Sequence, residues 1–244
     1  MKTVDKKEVI NRESAEFIQQ TEEGKFVNLI PDTFIIKMEG GAQGYAIRHL
    51  NRQDMILIDT TGKGAQKGVK HLVEEGYKIK AILVTHKAAL DNTYASLKTI
   101  SEDAGGAPIF SHPVNNKDSE FEVKNITDKN KIFGNFSISV RDFPAASGEA
   151  VVVHSEINEG MVFAGCSAEG ASYDSDKEGF SLPDIKSENK KSSLAESWRS
   201  YMREFSFFFP YKGKPGFNLS EGQQKDIVLK LGSTNYPGGG NPNL

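Results

Sequence analysis

The spacing of apolar residues changes period several times along the chain, and each change predicts an element. Over residues 5–23, Val9, Ile10, Phe17 and Ile18 are set among charged residues as in an amphipathic helix, with nothing in the sequence to name its partner. Two apolar, β-branched runs follow, 26–30 and 33–38, separated by Pro31-Asp32 and ending at the Gly40-Gly41 turn, which predicts antiparallel strands. Met55-Ile56-Leu57-Ile58-Asp59 is a nearly continuous apolar run of buried-strand length. Val69, Leu72 and Val73 then recur at helical spacing before Gly76, and Ala81-Ile82-Leu83-Val84 forms a second such strand ending at Thr85-His86. A further helix through Tyr94, Leu97 and Ile100 stops at Gly105-Gly106, ahead of a short strand at Pro108-Ile109-Phe110. Alternating strands and helices predict a parallel sheet with crossover helices.

Beyond about residue 113 the period is that of strands. Runs at 121–123, 136–140, 150–153 and 161–164 read as an antiparallel, strand-rich half. Residues 167–193 are crowded with Ser, Glu, Asp and Lys and predict a long loop or partly mobile insertion. Leu194 to Phe205 returns to helical spacing, Phe207-Phe208-Phe209 forms a core strand ended by Pro210, and Leu219 to Leu231 predicts a last helix. The organisation expected is an N-terminal amphipathic helix in 1–24, one domain in 25–232, and a flexible Gly/Pro/Asn tail in 233–244. No repeat of fixed period is present.

Composition narrows the function classes. The chain has 244 residues, with 30 basic and 33 acidic side chains and a net charge of -3, so no overall positive field draws it to nucleic acid or anionic membrane. No segment approaches the ~20 apolar residues of a membrane span, and a cytoplasmic location is expected. Cys166 is the single cysteine, which rules out an intrachain disulfide. Thr60-Thr61-Gly62-Lys63-Gly64 follows a strand but lacks the spacing of a phosphate-binding loop, whose lysine comes after the second glycine.

The order of elements, with a strand ending in Asp59, a strand ending in Thr85-His86 and a short strand before His112-Pro113, resembles the metallo-β-lactamase superfamily over roughly residues 26–215. That resemblance implies an α/β fold, a four-layer αβ/βα sandwich of two mixed β-sheets flanked by helices, with an active site on strand-end loops along one edge. In active members the metal-binding loop reads H-x-H-x-D-H, whereas this chain reads His86-Lys87-Ala88-Ala89-Leu90-Asp91. His86 matches the first ligand. Ala88, Leu90 and Asp91 replace the other three, and neither alanine nor leucine has a lone pair to donate to zinc. At the next signatures Ala146 stands for a histidine, Cys166 for a bridging aspartate (some lactamase subclasses bind zinc through a cysteine there), and Lys212 for a last histidine.

The resemblance thus brings His86, Asp91, Cys166 and Lys212 to one remnant cleft. Lys212 would place an ammonium where a ligand is expected, so the first reading is a metal-free cleft with Lys212 paired to Asp91, without cofactor and without catalysis. Such a cleft would bind an unidentified small molecule or protein partner. The alternatives are a hydrolase of ester or thioester bonds holding one zinc ion on His86, Cys166 and Asp91, or one using Cys166 as nucleophile with His86 as base. Asp59 is expected to cap the turn that follows it, His112 to shape a loop, and His49, His71 and His154 to be surface or packing residues.

Overall fold

The computed structural model describes residues 6–91, 94–115, 121–126, 130–145 and 148–233; of these, the side chains of residues 6–12, Leu29, Ala88, Asp91 and Tyr94 are not described. The expected tail from residue 234 onward and Ala146 therefore lie outside the described residues. In chain order the elements are α1 (Lys6–Gln20), β1 (Phe26–Ile30), β2 (Thr33–Lys37), β3 (Gln43–Arg48), β4 (Asp54–Ile58), α2 (Gly62–Glu74), β5 (Lys78–Val84), α3 (Lys87–Asp91), α4 (Tyr94–Asp103) and β6 (Ile109–Ser111). They continue with β7 (Val123–Asn125), α5 (Lys131–Asn135), β8 (Ile138–Pro144), β9 (Glu149–Ser155), β10 (Met161–Gly165), β11 (Glu169–Gly170), β12 (Phe180–Ser181), α6 (Glu188–Arg199), β13 (Phe207–Pro210) and α7 (Glu221–Leu231).

Two mixed sheets result. The first has the order β1-β2-β3-β4-β5-β6-β7, antiparallel up to β4 and parallel from β4 onward. The second has the order β13-β10-β9-β8, with β13 parallel to β10 and the rest antiparallel. The apolar runs are continuous because both faces of each sheet are covered, and the two-residue period of a strand sends alternate side chains to different cores. Ile56, Ile58, Ala81 and Leu83 point between the sheets and meet Val151, Val153, Phe163 and Phe209. Met55, Leu57, Ile82 and Val84 point outward to Val69 and Leu72 of α2 and Leu97 and Ile100 of α4. On the far side Val152, Val162 and Phe208 pack under Leu194 and Trp198 of α6 and Ile227 of α7. The layers are helix, sheet, sheet, helix, as expected.

Three elements depart from expectation. The 121–123 run was expected in the antiparallel half, yet Val123 pairs with Ile109 in parallel at the edge of the first sheet, a position that only the crossover after β6 determines. Residues 167–193 are not one loop: β11 pairs with β12, Phe180 and Ile185 are buried, and α6 begins at Glu188. Its polar composition is the solvent face of α6 together with a segment tied down by Lys214, whose ammonium donates to the carbonyl of Ser175 at 2.7 Å. Finally, the N-terminal helix, whose partner the sequence does not name, reaches the core with its C-terminal end. Ile18 is buried in the core between the sheets, and Lys37 Nζ donates to the Gln19 carbonyl at 2.7 Å. Phe17, grouped with Ile18 by sequence spacing, is 51% exposed, because adjacent residues on a helix point about 100° apart.

That difference is measurable. Ile18→Ala should lower unfolding free energy by about 2–4 kcal/mol, the range for truncating a buried aliphatic side chain, while Phe17→Ala should stay within about 0.5 kcal/mol. Urea denaturation of both variants checks it.

Candidate functional site

The strand ends at one edge of the sandwich converge because β4 and β5 run in parallel register, Ile58 beside Leu83, so the residues that follow each apolar run emerge side by side. Asp59 leaves β4 in the left-handed region, at φ 49°, and its side chain turns back across the sheet. It does not cap the turn after it, as expected from sequence. Its carboxylate accepts from Thr85, with Oδ1 2.8 Å from the backbone nitrogen and Oδ2 2.6 Å from Oγ1. Thr61, at the start of α2, makes no capping hydrogen bond to that helix either.

Thr85 Oγ1 also stands 3.0 Å from His86 Nδ1. A hydroxyl has one proton, and at 2.6 Å it belongs to the carboxylate; the oxygen then accepts from Nδ1–H. The network assigns the Nδ1–H tautomer to His86 and leaves Nε2 with the lone pair. Burial pushes the imidazole pKa down, the Asp59 carboxylate opposes this, and the Lys212 ammonium lowers it further. Burial pushes the Asp59 carboxyl up, offset by His86 and by the two Thr85 hydrogen bonds. His86 is only 2% exposed, and the Tyr211 ring stands edge-on against it, with centroids 4.5 Å apart at 71°. Burial raises the pKa of the Tyr211 hydroxyl to about 12, and Thr61 beside it opposes that rise.

β10 completes the edge. The Tyr211 backbone nitrogen donates to Gly165 O at 3.0 Å, which ties the end of β13 to the end of β10. Gly165 has φ 54°, and a Cβ there would sit 2.1 Å from Thr85 Oγ1, so a side chain would collide with the hydroxyl between Asp59 and His86. Cys166 is next in sequence and partly exposed. Burial of its sulfur pushes the thiol up to about 12, with Asp59 acting in the same direction. A thiol of that pKa is almost wholly protonated at neutral pH. The nucleophile reading of Cys166 with His86 as base needed the opposite shift.

Of the four residues expected in the cleft, His86, Cys166 and Lys212 lie at this edge, and Asp91 ends α3 with its side chain outside the described residues. The expected Lys212–Asp91 pair thus lies outside the description. Lys212 is exposed, its backbone bridged to Ala42. Sequence reading missed Thr85, Gly165 and Tyr211 as members of the site. The signal for Thr85 was available: a carboxylate and a hydroxyl each directly follow one of two apolar runs that a parallel sheet sets side by side. The other histidines stand apart. His112 Nδ1 accepts from Val114 N at 3.2 Å and so shapes its loop, His49 packs on Phe136, and His71 lies beside Glu74 and Glu75 at the surface.

Among the described residues no group of three or more His, Cys, Asp or Glu side chains is close enough together to hold a metal ion. Against a zinc pair the donors do not fit, since the second position of the motif is alanine, Leu90 is fully buried, and the described edge offers one imidazole, one thiol and the Asp59 carboxylate, whose oxygens are committed to Thr85.

No protein-family model matches the sequence, and no curated protein does. Solved structures do. VMB-1 superposes with a TM-score of 0.62 at 17% identity, covering 86% of this chain and 97% of its own. The DIM-1 metallo-β-lactamase gives 0.61 at 16% identity, covering 85% and 96%. FIM-1 from Pseudomonas aeruginosa, a metallo-β-lactamase solved in its mono-zinc form, gives 0.57 at 15%, covering 85% and 94%. The chain has the metallo-β-lactamase fold. At these identities the likeness is one of fold.

Two outcomes follow from this geometry. Gly165→Ala should cost about 2–4 kcal/mol, combining a left-handed backbone with the collision at Thr85, as read by urea denaturation. Alkylation of Cys166 by iodoacetamide at pH 8 should run more than about a hundredfold slower in the native than in the urea-unfolded protein, and should keep accelerating beyond pH 9.5.

Proposed function

We propose that this chain is a metallo-β-lactamase-fold protein that is not a dinuclear metallohydrolase and that uses its strand-end edge to bind a small molecule or a protein partner. The observation that carries the reading is the state of His86. The one histidine retained from the metal-binding motif is 2% exposed, its Nδ1 is committed to Thr85 and its ring is covered by Tyr211. A ligand histidine in a hydrolytic site must present its donor nitrogen to a metal with an open position for water. Here the Asp59–Thr85–His86 chain joins strand ends, with the exposed Lys212 and the protonated, largely buried Cys166 thiol beside it.

A net charge of -3 argues for a small molecule or protein rather than nucleic acid as partner, and no helix among the described residues is long and apolar enough to cross a membrane. The cytoplasm suits a lone cysteine with no disulfide partner. One observation favours a second reading, a hydrolase with a single zinc: the tautomer assigned to His86 leaves Nε2 with a free lone pair, and a zinc ion would deprotonate the Cys166 thiol outright. Bound zinc would then be the Lewis acid of that hydrolase, with His86, Cys166 and Asp91 as its protein ligands.

Metal analysis of protein purified without chelator, combined with assays on a chromogenic β-lactam and on aryl ester and thioester substrates, separates the readings. Zinc well below one equivalent and no hydrolysis above a Cys166→Ala control is the expected result. One equivalent of zinc, lost in Cys166→Ala, would support the mononuclear alternative. Two equivalents with hydrolysis would overturn the proposal.

A further inference from the structure

Away from the strand-end edge, the outer face of the second sheet has a stretch that α6 does not cover. Ser139 lies directly across from His154 and Arg141 directly across from Val152 on this face. Beyond the last turn of α6, Tyr201 and Arg203 arch over these side chains and close a cleft of about 210 Å3. His154 is four residues along β9 from Ala150, the residue bridged to His86, which puts the cleft roughly 13 Å along the strand from the edge site.

The chemistry of this cleft is one-sided. Two arginines, Arg141 and Arg203, line it, and no Asp or Glu does. Arg141 is held in place: Nη1 donates to Ser200 O at 2.8 Å, Nη2 to Ser200 Oγ at 2.5 Å, and its head lies 5.8 Å from the centroid of the Phe143 ring. Those acceptors are neutral, and among the described residues Arg141 makes no ion pair. Arg203 has one carboxylate within reach, Glu156 at 3.6 Å, on a side chain 70% exposed. At the floor, His154 and Tyr201 are 5% and 4% exposed and share a hydrogen bond of 2.8 Å between Nδ1 and the phenol oxygen. Whichever group donates, one proton remains to offer, on Nε2 or on the phenol. Nε2 has no hydrogen-bond partner among the described residues, yet it is not one of the fully enclosed unpartnered atoms, so it opens on the cleft.

We propose that this cleft is an oxyanion site, binding the carboxylate or phosphate group of a small molecule between Arg141, Arg203 and the His154–Tyr201 pair. Two cations, Arg141 held in place and Arg203 half-exposed, and one neutral donor around a small pocket suit a planar or tetrahedral oxyanion, since charge-assisted hydrogen bonds from guanidinium groups are the strongest the side chains can supply. The field is felt by both floor residues. Burial, then Arg203, lowers the His154 pKa to about 4, and Arg203 and Arg141 both act to lower that of Tyr201 against the rise from burial. An anion seated in the cleft would stabilise protonated His154. At 210 Å3 the pocket is smaller than the usual ligand site, so it holds an anionic group with a short substituent.

The test is a titration of the full chain with inorganic phosphate and, separately, with acetate, at constant ionic strength, following the His154 ring protons by NMR with a His154→Gln sample for assignment. Expected are a saturable shift at His154 and a rise in its pKa on saturation. The tighter of the two ions identifies phosphate or carboxylate as the natural group. Arg203→Gln, a half-exposed residue whose loss leaves the core intact, should weaken binding about tenfold, the effect of one charge-assisted hydrogen bond, and Glu156→Gln should tighten it. No saturable shift, an equal shift with chloride, or unchanged affinity in Arg203→Gln would overturn the proposal. None of these results bears on the metal content or hydrolytic activity of the edge site.

Discussion

A carboxylate enclosed between two sheets and a helix layer must find hydrogen-bond donors, and Asp59 finds them on Thr85, the residue at the matching place on the neighbouring strand. Much at this edge follows from that requirement. Thr85 must keep its hydroxyl turned inward, which sets the imidazole of His86 beside it; the approach of that hydroxyl to β10 leaves space only for glycine at position 165. Removing either partner would leave a buried polar group unsatisfied, a cost of about 1–3 kcal/mol or more for a charge, so the ends of β4, β5 and β10 are held as one unit.

The same unit sets the electrostatic state of this edge. In a site built for metal, carboxylate and imidazole groups would direct lone pairs at a cation that balances their desolvation. Here desolvation raises the Asp59 pKa and lowers that of His86, and the balance comes from each other and from Thr85 instead. Tyr211, delivered by the end of β13, closes the space over the imidazole. The anionic demand of this chain lies elsewhere, on the outer face of β8 and β9, where two guanidinium groups and a shared His154–Tyr201 hydrogen bond have no carboxylate among the lining residues.

The layered fold was largely legible in the sequence. Continuous apolar runs at 55–58, 81–84, 161–164 and 207–209 can only be strands covered on both faces, and helical spacing between the first two makes their connection a crossover. The loss of lone-pair donors at positions 88 and 90 was equally plain, since it needs only residue identities. Less legible were the 121–123 strand, whose sheet depends on a crossover with no local signal, and the 167–193 segment. In the latter, Phe180 and Ile185 are too widely spaced to show a period, while the charged face of α6 dominates the composition.

By itself, then, the order of residues determined the alternation of strands and helices, the two-sided burial and which side chains stand at the strand ends, because period and side-chain chemistry are local properties. Only tertiary structure decided that Asp59 bonds Thr85 rather than its own turn, that Tyr211 seals His86, and that Arg141, His154, Tyr201 and Arg203 share one cleft. Each of these joins residues tens to more than a hundred positions apart. Such contacts are set by strand register and by which sheet edge a connection returns to, and neither leaves a periodic trace in the chain.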